Sequence, residues 1–511
     1  MNTNSRTYNS SRNLIMSIVQ KVVSILLTFI SRQAFLKVLT VEYLGINGLF
    51  VNILSMLSLA DLGLATAMSY SFYKPLAEKD EDSLAALIGF YKKIYNIIAI
   101  VVAIVGLALT PFLRHIINIE NEIRYIEIYY LIALTNTVIS YLFVYKATII
   151  SADQNSSIVT KYGVWISILT TILQIIILLT IGSYLLYSVI SVLCTFAYNL
   201  MLSRKAGKLY PFIRRRTQLS SEDRRSIFYN IRSMFIYKVS GVIYNGTDNI
   251  FISALIGTAI VGKLENYSLA VSNLSGIAFI IFISLEPSIG NLIAKESTEK
   301  RMQVFKMMQT ASYWLAGFFS FCLFFLMDDF IVLWLGRDFI FDIFTKVQIL
   351  LNFYLTITLY PIIAFREATG IYQKTKYVMV VAAALKIVFS VTFGIWFGLV
   401  GIISSTILSR LLTYAWYEPK VLFRDFLGCR ATSYLLGHLQ NLAMLISSTA
   451  LAFFIFPWKE SASWLAWILK AVVYTLCINA VYLLRYFKSP EFSDIAGKII
   501  RLIKEMSKRT A

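Results

Sequence analysis

Apolar runs near 20 residues long recur along the whole chain, separated by short polar or charged breaks. A helix of about 20 residues crosses the roughly 30 Å hydrocarbon core of a bilayer, and no soluble fold requires so many such runs. The pattern therefore predicts an all-α integral membrane protein with about fourteen transmembrane helices. They fall near 13–35, 44–73, 88–112, 125–148, 157–181, 184–203, 228–256, 264–292, 303–326, 345–365, 377–396, 399–417, 436–457 and 463–486.

The first and seventh runs begin alike. At a constant offset of about 217 residues, Asn13 meets Asn230, Lys21 meets Lys238, Val22 meets Val239, Gly45 meets Gly262 and Ala77 meets Ala294. Segments entering the membrane in the same direction must be separated by an even number of helices, and six runs lie between these two starts. The chain reads as two parallel six-helix repeats, 13–204 and 228–417, joined by a basic cytoplasmic linker, 205–227, as in transporters built by duplication. Helices 13 and 14, at 436–486, are then an addition. The ends read as a cytoplasmic tail at 1–12 and a basic tail at 487–511. In the second, Ile495, Ile499, Leu502, Ile503 and Met506 recur at helical spacing among Lys498, Arg501, Lys504 and Lys508. Such an amphipathic helix suits an anionic inner leaflet, with a solvated helix end as the plainer reading.

Composition agrees: 58% of residues are hydrophobic and 15% charged. The net charge of +19 raises the question of nucleic acid, which its distribution answers. Alternating the runs puts 34 of the 47 Lys and Arg on one side and 7 on the other. That asymmetry follows the positive-inside rule, so the basicity is topological, both termini are expected in the cytoplasm, and no nucleic-acid partner is implied. The polar start of the chain precedes a long apolar run without a small-residue cleavage site, so no removable signal peptide is read there. Cys194, Cys322, Cys429 and Cys477 are scattered and suggest neither a disulfide framework nor a metal site.

Charged residues inside the runs are the candidate chemistry, because one near the bilayer centre costs about 2.5–3.5 kcal/mol on insertion scales. Lys21 lies about 12 Å along the helix from Asn13. For Lys21 and Lys238 two readings stand: a cationic cavity wall, or side chains that snorkel to the cytoplasmic interface. Lys386, amid Val-Ala-Ala-Ala-Leu-Lys-Ile-Val-Phe, is expected in a polar interior near mid-membrane. Asp61, Asp248, Glu265 and Glu286 are the acids; they can pair with cations, bind a coupling ion, or carry a proton if burial raises their pKa. Pro287 and Pro361 fall inside runs and are expected to kink them.

Catalytic patterns are poor. His115 and His438 are the two histidines, there is no HExxH, Walker or GxSxG motif, and the longest outer loop, about 327–344, leaves little room for an active-site domain. The chain is not expected to be an enzyme, nor to need a cofactor or metal beyond a possible coupling ion, proton or sodium.

The stretch Glu42-Tyr-Leu-Gly-Ile-Asn-Gly-Leu-Phe-Val-Asn-Ile-Leu-Ser-Met-Leu-Ser-Leu-Ala-Asp61-Leu-Gly-Leu-Ala, continuing through Tyr73-Lys-Pro-Leu-Ala-Glu-Lys-Asp80, resembles the polysaccharide transporter family of Wzx-type flippases. So do Arg366-Glu-Ala-Thr-Gly-Ile-Tyr372, Gly398-Leu-Val-Gly-Ile-Ile-Ser-Ser-Thr406 and Tyr417-Glu-Pro-Lys-Val-Leu422. The resemblance implies the multidrug/oligosaccharidyl-lipid/polysaccharide (MOP) exporter fold, two six-helix lobes in a V with alternating access. It implies a substrate as well: an oligosaccharide repeat unit on undecaprenyl diphosphate, moved across the bacterial cytoplasmic membrane for capsule, O-antigen or a similar glycan. Membrane lipids, a glycan polymerase and other assembly proteins are the implied partners. In that fold helices 1, 2, 7 and 8 line the cavity, which makes Lys21, Arg32, Arg232 and Lys238, with Lys386, the candidate substrate-binding cations. Asp61, Asp248, Glu265 and Glu286 become candidate coupling or gating acids. A drug exporter or lipid II flippase of the same superfamily is the nearest alternative. A membrane-embedded glycan polymerase, the alternative from another class, needs a large catalytic outer loop that the sequence lacks.

Overall fold

Polar side chains placed at run boundaries set where helices start. Ser183, Ser297 and Ser463 each accept a hydrogen bond from the amide three residues on, and Asp342 accepts from the Phe344 and Thr345 amides. Asp80 does the same for its helix; hydrogen bonds from the Ser83 hydroxyl and amide hold its carboxyl below the usual range. A computed structural model describes residues 3–57, 68, 71–72, 75–76, 78–117, 123–153, 155–215, 217, 219, 236–283, 285–456, 460–494 and 497. Every regular element among them is helical.

The chain forms two compact units, Met1–Glu265 and Asn266–Ala511. The first contains α1 (Thr3–Val38), α2 (Val41–Leu57), α3 (Glu81–Leu109), α4 (Ile126–Tyr141), α5 (Val144–Ala152), α6 (Ser156–Thr180) and α7 (Tyr184–Leu209). After these come α8 (236–246), α9 (Asp248–Leu255) and the start of α10 (Thr258–Ile283). The division between units therefore falls within α10. Packing explains this: α9 and the start of α10 lie against α2.

The second unit contains the rest of α10, then α11 (Glu286–Lys295), α12 (Thr298–Leu335), α13 (Ile343–Thr358), α14 (Tyr360–Thr369), α15 (Tyr372–Leu412), α16 (Tyr414–Phe426), α17 (Thr432–Ile455) and α18 (Trp464–Tyr486). Pro361 stands in the first turn of α14, directly after the α13–α14 break, and Pro287 in the first turn of α11. Each thus begins a new helix, where a missing amide proton costs least.

Helix α15 is two helices. Gly398 has φ 59° and ψ −135°, outside the helical region, and the Ser390 and Ser405 hydroxyls lie 2.7 Å apart. In a continuous helix those residues would be separated by about 22 Å. The chain therefore turns back at Gly398, and 372–397 and 399–412 are separate arms, in keeping with the breaks read between 377–396 and 399–417.

Among the described residues, nine helices are long and apolar enough to cross a membrane, or ten if the bent pair α4–α5 counts as one span. Large apolar side chains cover their outer faces: Leu484 is 86% exposed and Phe454 83%. A surface of that kind is stable against lipid and not against water, so this is a multi-pass membrane protein. One boundary differs from the sequence reading. Helix α12 runs on to Leu335, so the expected outer loop 327–344 begins nine residues late and Asp328 and Asp329 lie inside the helix.

Candidate functional site

In the first unit, α2 and the start of α10 approach so closely that only glycine fits. A Cβ built on Gly45 would lie 2.0 Å from the Thr258 carbonyl oxygen, and one on Gly262 would lie 2.2 Å from that of Val41. One turn along α2, a Cβ on Gly48 would meet Glu265 at 2.7 Å. The Glu265 carboxylate accepts from Asn249 Nδ2 at 2.9 Å, and both Glu265 and Tyr187 act electrostatically on Arg32. Two of the candidates, Arg32 of α1 and Glu265 of α10, thus lie within electrostatic reach of one another. Opposite charges together reduce the cost of holding either inside a bilayer.

The other candidates are dispersed. Lys21 on α1 and Lys238 on α8 are both half-buried, and Asp248 opens α9. Glu286 opens α11 in the second unit. Asp61 and Arg232 lie outside the described residues, as does the amphipathic tail helix apart from Gly497. Lys386 is 1% exposed and is engaged by neighbours. It stands four residues before Ser390, so it shares the face of its arm that meets Ser405 on the returning arm.

A cleft of about 300 Å³ opens between α2, α4 and α7, wholly within the first unit. Sequence reasoning passed over it because no charge marks it: its walls are aromatic rings, hydroxyls and amides, including Phe50, Tyr129, Tyr184, Tyr187, Asn47 and Asn136. The available signal was neutral polar residues, Asn47, Ser55, Asn136, Thr137, Ser188 and Ser191, within apolar runs. Ser191 Oγ accepts from Gln174 Nε2 at 2.7 Å, which fixes α7 against α6. Asn136 Oδ1 is buried and has no hydrogen-bond partner among the described residues.

The second unit contains ion pairs of another kind. Glu418, 2% exposed, receives Arg366 Nη1 at 3.2 Å, so two of the sequence blocks singled out above meet. Asp328 pairs with Lys346, and Asp329 with Lys470 at 2.7 Å. All three pairs join helices to one another. Among the described residues no group of His, Cys, Asp and Glu is arranged to hold a metal ion.

By sequence, no family model and no curated protein matches. By structure, lipid II flippase MurJ in an inward closed conformation aligns with a TM-score of 0.64 at 13% identity, over 93% of this chain and 99% of that one. An inward-facing multidrug resistance MATE family transporter of the MOP superfamily aligns with a TM-score of 0.57 at 14% identity, over 77% and 93%. A mutant of the Vibrio cholerae MATE transporter VcmN aligns with a TM-score of 0.53 at 14% identity, over 83% and 99%. At these identities the likeness establishes fold: an all-helical membrane architecture of the MOP type, shared along nearly the whole chain.

Proposed function

We propose that this protein is a flippase that carries undecaprenyl-diphosphate-linked oligosaccharides across the bacterial cytoplasmic membrane by alternating access, for the synthesis of a surface polysaccharide. The observation that carries this reading is a pair of half-buried lysines at equivalent places in the duplicated sequence, Lys21 on α1 and Lys238 on α8. A diphosphate is a compact anion that hydrocarbon excludes, and cations in a shielded path lower that barrier. Arg232 belongs with them in this scheme, while Asp61, Asp248 and Glu286 remain candidates for coupling to a proton or sodium ion. Fourteen crossings with both ends in the cytoplasm, and a role in transport and not catalysis, belong to the same proposal. Similarity in fold to a lipid II flippase supports a lipid-linked substrate.

A drug exporter that selects organic cations is the rival within the superfamily. It calls for a carboxylate left available to the drug, whereas Glu265 is engaged by Asn249 and lies in the field of Arg32.

Deleting the gene tests the reading: a lipid-linked glycan should accumulate on the cytoplasmic leaflet. Complementation with Lys21→Ala or Lys238→Ala should restore export poorly at normal protein levels. Full export by both variants would remove the diphosphate role from these residues.

A further inference from the structure

We propose that the cleft between α2, α4 and α7 is a glycan subsite that seats one neutral sugar ring of the translocated lipid. The assignment rests on the flippase reading and adds to it the chemistry that recognises the saccharide, away from the lysines assigned to the diphosphate.

Hydrogen-bonding groups in the cleft set its chemistry. Ser55 Oγ donates to the Asn52 carbonyl at 2.8 Å, Thr137 Oγ1 to that of Ala133 at 3.1 Å, and Ser188 Oγ to that of Tyr184 at 2.9 Å. Each hydroxyl has spent its one proton on its own helix and keeps lone pairs for the cleft. Asn136 Oδ1 adds a buried acceptor without a donor among the described residues. The Asn47 and Asn136 amides add N–H donors to these acceptors, and a neutral set that both donates and accepts matches sugar hydroxyls, which do the same. Phosphate is a charged acceptor that calls for cations, and among the described residues no Lys or Arg lines the cleft. Among the described residues no Asp or Glu lines the cleft, so an organic cation would meet ring faces there without a counter-charge.

Shape agrees with this chemistry. The rings of Tyr129 and Tyr184 meet edge to face at 4.9 Å, and Tyr184 stacks with Tyr187 at 6.0 Å, forming an aromatic wall beside the acceptors. A pyranose has the same two-sidedness, an apolar C–H face and a rim of hydroxyls. At about 300 Å³ the space is at the small end of ligand pockets, which suits one ring and not a whole repeat unit. Among the described residues no charged side chain lines the cleft, although Arg32 acts electrostatically on Tyr187 in its wall.

The test uses the full-length protein in lipid nanodiscs and two probes. One is the lipid-linked glycan that accumulates in the deletion strain; the other is bare undecaprenyl diphosphate. Asn136→Leu should weaken binding of the first about tenfold and leave the second unchanged, with Ser55→Ala, at the exposed edge of the cleft, giving a smaller loss of the same selectivity. If Asn136→Leu does not fold, Ser55→Ala together with Ser188→Ala carries the test. Equal losses for both probes, or no loss for the glycan lipid, overturn the subsite. If no lipid-linked glycan accumulates and the wild-type protein does not bind bare undecaprenyl diphosphate, the flippase reading falls, and the subsite with it.

Discussion

Gly45 and Gly262, about 217 residues apart in the sequence, back onto one another: a Cβ on Gly262 would stand 3.0 Å from the Gly45 amide nitrogen. Their matching places in the duplicated sequence thus become a helix crossing in which each glycine lets the other backbone approach. Close small-residue crossings are how membrane helices gain van der Waals contact when lipid offers no hydrophobic drive. Gly45→Ala puts a methyl group against the Thr258 carbonyl, and Gly45→Leu adds a branched chain; overpacking of this kind costs on the order of 1–3 kcal/mol. Thermal unfolding in detergent should show both variants destabilised, the leucine more than the alanine. Gly207→Ala in α7, where a Cβ meets nothing within 4 Å, is the matched control and should be neutral or slightly stabilising.

The lengths and spacing of the apolar runs made most of the helices legible, because a bilayer enforces both. Side-chain partnerships were far less so. Arg32 and Glu265 sit on helices far apart in the chain, and only the α2–α10 crossing places Glu265 where Arg32 feels it. The outer loop expected over 327–344 takes in Asp328 and Asp329, although Phe330-Ile-Val-Leu-Trp-Leu335 beyond them is apolar enough to continue the helix. The neutral cleft left no trace in charge patterning. Its residues converge only because α2, α4 and α7 pack together, which a one-dimensional pattern does not encode.

Gly398 is the turn on which the α15 arms reverse. At φ 59° and ψ −135° a side chain is strained in a conformation essentially confined to glycine, at a cost of about 1–3 kcal/mol. Nothing lies within 4 Å of a Cβ there, so any effect of Gly398→Ala is conformational and not a clash. Gly398→Ala should lower the unfolding midpoint, and Gly398→Val should lower it further. An unchanged midpoint in both would mean that the turn relaxes without cost.

Arg366 and Glu418 come from sequence blocks that suggested function, yet their geometry is that of a strut: Nη1 to Oε2 is 3.2 Å, between α14 and α16, with both side chains largely buried. Breaking a buried pair by removing one partner leaves a lone charge and costs about 3–5 kcal/mol, while replacing both with apolar groups is often neutral. Glu418→Leu alone should therefore reduce the amount of folded protein in the membrane. Arg366→Met with Glu418→Leu should recover much of it, since Glu367, which also pairs with Arg366, is the more exposed carboxylate and tolerates release. A double variant no better than Glu418→Leu would assign Arg366 a role beyond the pair.

Asp328 and Asp329 are neighbours on α12, and consecutive residues on a helix point about 100° apart. They consequently face different partners. Asp328 takes Lys346 of α13 together with the Tyr267 hydroxyl at 3.1 Å, and Asp329 takes Lys470 of α18 at 2.7 Å with the Ser461 hydroxyl at 2.7 Å and amide at 3.2 Å. Two cations that would be costly inside apolar helices are thereby neutralised, and α18 gains a polar anchor on α12. Lys470→Met should leave Asp329, 4% exposed, with Ser461 as its one partner among the described residues and cost about 3–5 kcal/mol. The loss should appear first at α18, as faster proteolysis of the α17–α18 connection in membrane vesicles. Adding Asp329→Asn to Lys470→Met removes the stranded charge while keeping an acceptor for Ser461, and should restore much of the protection. If Lys470→Met alone is as protease-resistant as the parent, the anchor is not electrostatic, and the packing of Trp467, whose Nε1 donates to the Leu326 carbonyl at 3.0 Å, holds α18 in its place.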